Sequence, residues 1–204
     1  MLEGRYEHIS KLGEGSFGRV YKARDRFYSE MEPLVKPPST SGISVQDSEN
    51  KNPNLVLEEN KAEVVKSPFV AIKKLYISED HDEESYNREI NFYKKLKHPN
   101  IVRLLNTFKK KNLYLVLEYI ETDLAKVIEK GTITQDNIKH YMKQILECVK
   151  HIHSNKVMHR DLKPSNLLIS QNNTLKCGDF GIARDFPKEG QILTRKVCTR
   201  YYLY

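Results

Sequence analysis

The chain is predicted to fold as an α+β protein in two lobes, a small antiparallel β-sheet with one helix followed by a mainly helical part. Strand-like runs recur through the first part, Tyr6–Lys11, Arg19–Ala23, Phe69–Leu75 and Leu113–Tyr119, and Arg19–Ala23 alternates polar and apolar. Apolar residues at helix spacing interrupt them once, between Asp82 and Lys97, and return over a long segment after Thr134. Between that segment and the apolar run Leu167–Ile169 lies His159-Arg160-Asp161-Leu162-Lys163-Pro164-Ser165-Asn166, which gathers an acid, two cations and an amide in one short loop.

Composition narrows the class. Of 204 residues, 39% are hydrophobic and 30% charged, with a formal net charge of +7, which describes a globular chain rather than a fibre or a wholly disordered one. Excess positive charge suits anionic partners such as nucleotides or acidic proteins. No basic stripe interleaved with aromatics is present, and Lys109-Lys110-Lys111 reads as a solvated turn, so no direct nucleic-acid contact is expected. Cys148, Cys177 and Cys198 are odd in number and far apart, which fits neither a disulfide framework nor a zinc site. Reduced thiols in the cytoplasm or nucleus are the expectation. The N-terminus lacks an apolar signal core, and no apolar run approaches a membrane span, so no membrane partner is expected.

In chain order, the first strand runs into Gly13-Glu14-Gly15-Ser16-Phe17-Gly18. G-x-G-x-x-G alone is weak evidence, since dinucleotide-binding folds carry it before a helix. Here Arg19–Ala23 alternates like a strand, so the glycines join two strands, where they let backbone N–H groups approach phosphate oxygens. An ordinary glycine-rich hairpin is the alternative. From Asp25 to Ser67 periodicity vanishes among Pro33, Pro37, Pro38 and Pro53, and the stretch reads as a disordered insert. A regulatory insert with a phosphorylation site at Ser67-Pro68 is one reading; a neutral insertion or retained intron sequence is preferred.

Phe69–Leu75 restores strand character and carries Lys73, which taken alone is a solvated strand lysine. The helix over 82–97 places Tyr86, Ile90, Tyr93 and Leu96 on one face. Asp82, Glu83 and Glu84 sit near its start and Lys94, Lys95 and Lys97 near its end, as the macrodipole prefers, and Pro99 ends it. Glu89 lies on or beside the apolar face, which is awkward for a carboxylate without a cation, and Lys73 is the obvious partner. Ile101–Phe108 and Leu113–Tyr119 should complete the sheet around the 109–112 turn. Thr134 is the expected N-cap of a long helix whose buried stripe reads Ile138, Met142, Ile145, Val149 and Ile152. His140, His151 and His153 on that helix read as solvated or locally hydrogen-bonded rather than as metal ligands.

With these parts in this order, the chain resembles the eukaryotic serine/threonine protein kinases of the CMGC group, close to the cyclin-dependent kinases and less so to the MAP kinases. The resemblance covers Tyr6–Tyr202 apart from the insert, and it rests on the glycine loop, Val70-Ala71-Ile72-Lys73, His159–Asn166 and Asp179-Phe180-Gly181. It implies a protein-kinase-like fold with an N-lobe over 1–120, containing the insert 25–67, and a partial C-lobe over 121–204 that ends within the activation segment. It implies ATP and Mg²⁺ as cofactors, a protein substrate, and a cyclin-like activating subunit as partner.

Carried over by position, Asp161 would accept the proton of a Ser/Thr hydroxyl and Lys163 would steady the transferring phosphoryl group. Asn166 and Asp179 would hold Mg²⁺. Gly13, Glu14, Gly15, Ser16, Phe17 and Gly18 would cover the phosphates, and Lys73, paired with Glu89, would contact them. Val20, Ala71 and Leu168 would sandwich the adenine, Glu118 would lie in the hinge beside it, and Leu117 would be the gatekeeper. Tyr93, His159 and Phe180 would pack as an internal spine. Thr194 matches the activating threonine, with Arg88, Arg160 and Arg184 to coordinate its phosphate. Lys196 replaces the tyrosine of the MAP-kinase T-x-Y pair. The family continues beyond Tyr204 with the rest of the large lobe, so the 204-residue polypeptide is expected to be poorly stable alone. An inactive truncated fragment serving only as a nucleotide- or partner-binding module is the alternative function.

Overall fold

A computed structural model describes residues 4–15, 18–28, 67–76 and 83–187. The proposed insert, apart from its edges, lies outside them, as do Ser16, Phe17 and Thr194.

Five antiparallel strands form the first layer: β1 (Tyr6–Gly15), β2 (Gly18–Asp25), β3 (Phe69–Leu75), β4 (Leu104–Lys109) and β5 (Leu113–Glu118), in the order β1-β2-β3-β5-β4. The strand period of two sorts their side chains. Val70 and Ile72 of β3 join Tyr6, Ala23, Phe108, Tyr114 and Val116 in one apolar cluster. Ala71 and Lys73 point the other way, opposite Lys22 and Val20 of β2 and Leu117 and Leu115 of β5. The Arg5–Asp25 pair (2.6 Å) ties the chain before β1 to the end of β2, and Pro68 accepts the Asp25 N–H at 2.8 Å.

Helix α1 (Glu83–Lys95) packs Ile90, Phe92, Tyr93 and Leu96 into a second cluster that reaches into the helical half. Phe92 was not on the expected stripe. Ile101–Arg103 does not extend β4. Ile101 instead bridges to Cys177 in parallel, with Val102 N–H donating to Cys177 O (2.9 Å) and Cys177 N–H to Asn100 O (2.8 Å). A β-rich run thus serves two sheets, which periodicity cannot reveal.

The helical half begins with β6 (Thr122–Asp123) and α2 (Leu124–Glu129), capped by Asp123 Oδ1, which accepts the Lys126 N–H at 3.0 Å. Helix α3 (Gln135–Ser154) opens on a capping box between Thr134 and Asn137. Short strands β7 (Val157–Met158), β8 (Leu167–Ile169), β9 (Leu175–Cys177) and β10 (Arg184–Asp185) complete it, pairing as β6-β8-β9 and β10-β7. The face of α3 that is buried differs from the expected stripe. Tyr141, Cys148 and Ile152 are buried, Ile145 and Val149 half-buried, while Ile138 and Met142 stand 41% and 47% exposed beside Leu146 at 62%. Helix α3 carries two apolar faces, and contact with β9 selects the one bearing Tyr141 and Cys148. The Tyr141 hydroxyl donates to Asn173 Oδ1 (2.5 Å) in the turn between β8 and β9. Among the described residues no helix is long and apolar enough to cross a membrane.

Candidate active site

Two clusters face the junction of sheet and helical half. In the first, the Lys73 ammonium lies 2.7 Å from Glu89 Oε1 and 2.8 Å from Asp179 Oδ1. Strand β3 aims Lys73, α1 carries Glu89, and the turn after β9 carries Asp179. Burial of Lys73 works against its charge, but the carboxylates of Glu89 and Asp179 outweigh it and raise its pKa well above the ordinary lysine value. Burial pushes the Glu89 carboxyl up against the pull of Lys73. At Asp179 burial also opposes ionisation, and Lys73 overrides it, leaving this carboxyl below its ordinary value. Glu89 is 3% exposed at its side chain and Asp179 41%, so only Asp179 can be reached by a ligand. A Cβ on Gly181 would come within 3.3 Å of Asp179 Oδ1 and 3.5 Å of Lys73 Nζ, crowding the Asp179 carboxylate by a few tenths of an ångström.

In the second cluster, Asp161 Oδ2 receives Lys163 Nζ at 2.9 Å and Asn166 Nδ2 at 3.0 Å. Asn166 Nδ2 also donates to Asp161 O (2.8 Å), which reserves Oδ1 as the acceptor this amide can offer. A 3-10 turn at Pro164–Asn166 makes this compact: proline sets the entry angle, and Asn166 N–H closes on Lys163 O at 2.9 Å. Arg160 and Asp179 both adopt left-handed backbone, φ 68° and 62°, at a cost on the order of 1 kcal/mol or more each. Such outliers in side chains with their own polar partners mark places where geometry outranks local comfort.

His159 joins the clusters. Its Nδ1 accepts the Asp161 N–H (3.2 Å) and its Nε2–H donates to Gly178 O (2.9 Å), so only the neutral Nε2–H tautomer satisfies both bonds. The ring packs 4.9 Å from Phe180, which meets Tyr93 edge-on at 5.1 Å. Tyr93 does more than pack: its hydroxyl accepts the Asp179 N–H at 3.0 Å, tying α1 to the Asp179 backbone by a second route. An aromatic on a helix stripe gives no sequence signal of that bond.

Burial pushes the His159 pKa down, against the Gly178 carbonyl, and burial with His151 repulsion does the same to His98. A depressed folded-state pKa stabilises the fold above the unfolded value, near 6.5, and that stability is lost as pH falls below it, by at most about 1.4 kcal/mol per pH unit for buried His159 and by less for His98, which water screens. The urea midpoint between about pH 7.5 and 5.5 should therefore fall more steeply in the wild-type chain than in His159→Phe. Equal slopes would contradict this role for His159.

The remaining predicted site residues are placed as follows. Val20 and Ala71 are half-buried on the sheet face that bears Lys73, and half-buried Leu168 packs from β8 against the second apolar cluster. Glu118 ends β5, with Leu117 before it. Cβ atoms on Gly13 and Gly15 would meet nothing within 4 Å, so packing does not require glycine at either. Gly18 differs: a Cβ there would lie 1.9 Å from Lys74 O, so β3 packing alone requires it. The Glu14 carboxylate is held below its ordinary value by Lys11 and Arg19, each 2.5 Å away, so its backbone rather than its side chain is available to an anion.

Arg88 Nη1 and Arg160 Nη1 are buried atoms without a hydrogen-bond acceptor among the described residues. Burial and the neighbouring Arg88 cation push the Arg160 guanidinium below its ordinary value. Arg160 spends its Nε on Ile182 O at 2.7 Å, and the two half-buried cations side by side, each with a covered Nη1, form an arrangement an anion would complete. Arg184, on β10, bonds Ala183 O at 2.9 Å.

The donor set also fits a hard cation. Asp179 and Asn166 offer oxygen ligands, and Mg²⁺ takes few protein oxygens beside water and phosphate. Among the described residues no group of three or more His, Cys, Asp or Glu side chains could hold a metal by itself.

A family model described as "Protein kinase domain" matches residues 60–203. The chain is 34% identical over 206 residues to Cyclin-dependent kinase 7 of Xenopus laevis, covering 97% of this chain and 48% of that protein. It is 33% identical over 204 residues to Cyclin-dependent kinase 7 of Carassius auratus, with the same coverage. A solved structure of the CAK complex from Chaetomium thermophilum bound to ATP-gamma-S matches with a TM-score of 0.68 at 30% identity, covering 97% of this chain and 53% of that one. The chain thus spans about half the length of the relatives it matches.

Proposed function

Since this chain is a protein kinase of the cyclin-dependent-kinase-like serine/threonine group, we propose that it transfers the γ-phosphoryl group of ATP to a Ser or Thr hydroxyl of a protein substrate. The observation that carries this is the meeting of Lys73, Glu89 and Asp179 within 2.8 Å, beside a loop in which Asp161, Lys163 and Asn166 share one carboxylate oxygen.

The residues divide the work. Asp161 accepts the proton of the incoming hydroxyl. Lys163, already against that carboxylate, offers its ammonium to the charge that moves in transfer. Lys73, fixed by Glu89, binds phosphate oxygens, and the backbone of Gly13–Gly15 cradles them. Asn166 Oδ1 and the Asp179 carboxylate would hold Mg²⁺, which supplies charge neutralisation of the phosphates when bound. Ala71, Val20 and Leu168 enclose the base, with Glu118 at its edge. The nucleotide would lie between an N-lobe over 1–120 and a C-lobe from 121.

Arg88 and Arg160, with Arg184, would receive a phosphate on Thr194, and a cyclin-like subunit would bear on α1, whose Glu89 and Tyr93 both hold the site. Cys148 and Cys177 are buried free thiols, in keeping with work in the cytoplasm or nucleus.

The test is transfer of label from the γ-position of ATP to Ser/Thr of a generic basic protein, with and without a chelator. Transfer that stops on chelation and resumes with Mg²⁺ supports the reading. Transfer indifferent to chelation, or none while Mg-ATP still binds, defeats it for this chain.

A further inference from the structure

The segment 119–121 is the covalent link between the five-stranded sheet and β6, and two lysines far off in sequence hold its start, one at Tyr119 and one at Glu118 just before it. From the helical half, Lys176 of β9 places Nζ 2.8 Å from Glu118 Oε1. That same oxygen accepts the Arg103 N–H at 2.7 Å, and the Glu118 N–H returns a bond to Arg103 O at 3.0 Å. Both partners of the ion pair are about one-fifth exposed, 19% and 21%, so water screens the pair less than a surface contact. From the sheet, Lys22 of β2 places Nζ 4.4 Å from the Tyr119 ring centroid and 4.3 Å from that of Phe69. The two rings meet edge-on at 6.3 Å. The ammonium therefore lies between two π faces, the arrangement that attracts a cation electrostatically.

We propose that Lys22 and Lys176 are positioning residues for the nucleotide, bracing the hinge from the two lobes so that its backbone meets the base in one register. The consequence follows from connectivity. Lys22 lies two residues beyond Val20 on the same strand face, and Lys176 lies three residues before Asp179. Movement of the glycine-loop strand or of the carboxylate turn is thus transmitted to the base edge through Tyr119 or Glu118. Neither lysine touches the reacting atoms. A solvated lysine would need neither an ion pair with a hinge carboxylate nor two aromatic faces, and the carboxylate is itself anchored to the Arg103 backbone. The inference rests on the nucleotide reading above, but its first readout does not.

The experiment uses the full chain and the variants Lys22→Met, Lys176→Met, Lys22→Arg and Lys176→Arg. Amide hydrogen exchange over 118–121 is measured without nucleotide, and Mg-ATP affinity is measured by calorimetry. Each Met variant should speed hinge exchange and weaken ATP binding by about 3- to 10-fold, while each Arg variant, which keeps the cation, stays near wild type. A merely structural role would lower the unfolding midpoint without singling out the hinge amides. Hinge exchange unchanged in both Met variants overturns the brace. Faster hinge exchange with no ATP binding by the wild-type chain upholds the brace and defeats the nucleotide reading instead.

Discussion

Asp161→Asn is expected to lower phosphoryl transfer by about 10²- to 10⁴-fold while leaving Mg-ATP affinity within about 3-fold of wild type. The substitution is isosteric, so the loop keeps its shape. Its amide nitrogen, however, would face Lys163 Nζ and Asn166 Nδ2, both donors, if it took the place of Oδ2. The amide will therefore turn its oxygen to them, and no basic oxygen remains to take a proton from the substrate hydroxyl. Nothing in the Lys73–Glu89–Asp179 cluster depends on that carboxylate. Measurement of kcat and of ATP affinity on the same preparation separates the two effects. A parallel loss of both would mean that Asp161 shapes the site rather than taking part in transfer.

Lys73→Met is expected to act first on stability. Removing the ammonium leaves Glu89 buried beside Asp179 with no cation, and breaking a buried pair in this way costs about 3–5 kcal/mol. For a domain whose whole stability is about 5–15 kcal/mol, that is a large share. Lys73→Met with Glu89→Leu removes the stranded charge and should recover much of the unfolding midpoint. It should not recover ATP binding, because the cation that meets the phosphates is gone. Recovery of both would show that Lys73 serves packing alone. Chemical denaturation and nucleotide titration on the single and double variants decide between these.

Much of this was legible because the chemistry sits in short runs. The loop from His159 to Asn166 and the turn at Asp179-Phe180-Gly181 each carry their residue types within a few positions, and a strand aims Lys73 by its period alone. Glu89 could be read because a carboxylate on an apolar helix face needs a cation. What could not be read depends on partners brought together by the fold. Lys176 and Glu118 are 58 residues apart, and neither is unusual in its own strand. The Tyr93 hydroxyl bond to Asp179 hides behind an ordinary apolar stripe. On α3 the pattern offered two apolar faces, and the choice fell to Tyr141 and Cys148, whose partners lie in the β8–β9 turn and in β9. Ile101 and Val102 read as strand correctly in character but bond to β9 instead of extending β4 along β5. Gly18 has a second reason to be glycine that the motif does not show: a Cβ there would collide with the Lys74 carbonyl.

On the proposed function the two polar clusters are halves of one machine: Lys73, Glu89 and Asp179 meet Mg-ATP, Asn166 shares the metal, and Asp161 and Lys163 perform transfer. The most direct test of this claim is a single-turnover measurement with γ-labelled ATP and Mg²⁺ on the wild-type chain, Asp161→Asn and Asp179→Asn. Wild type should transfer label to Ser/Thr; Asp161→Asn should bind the nucleotide but not transfer it. Asp179→Asn should lose transfer together with its response to added Mg²⁺. Transfer by Asp161→Asn at the wild-type rate would contradict the claim.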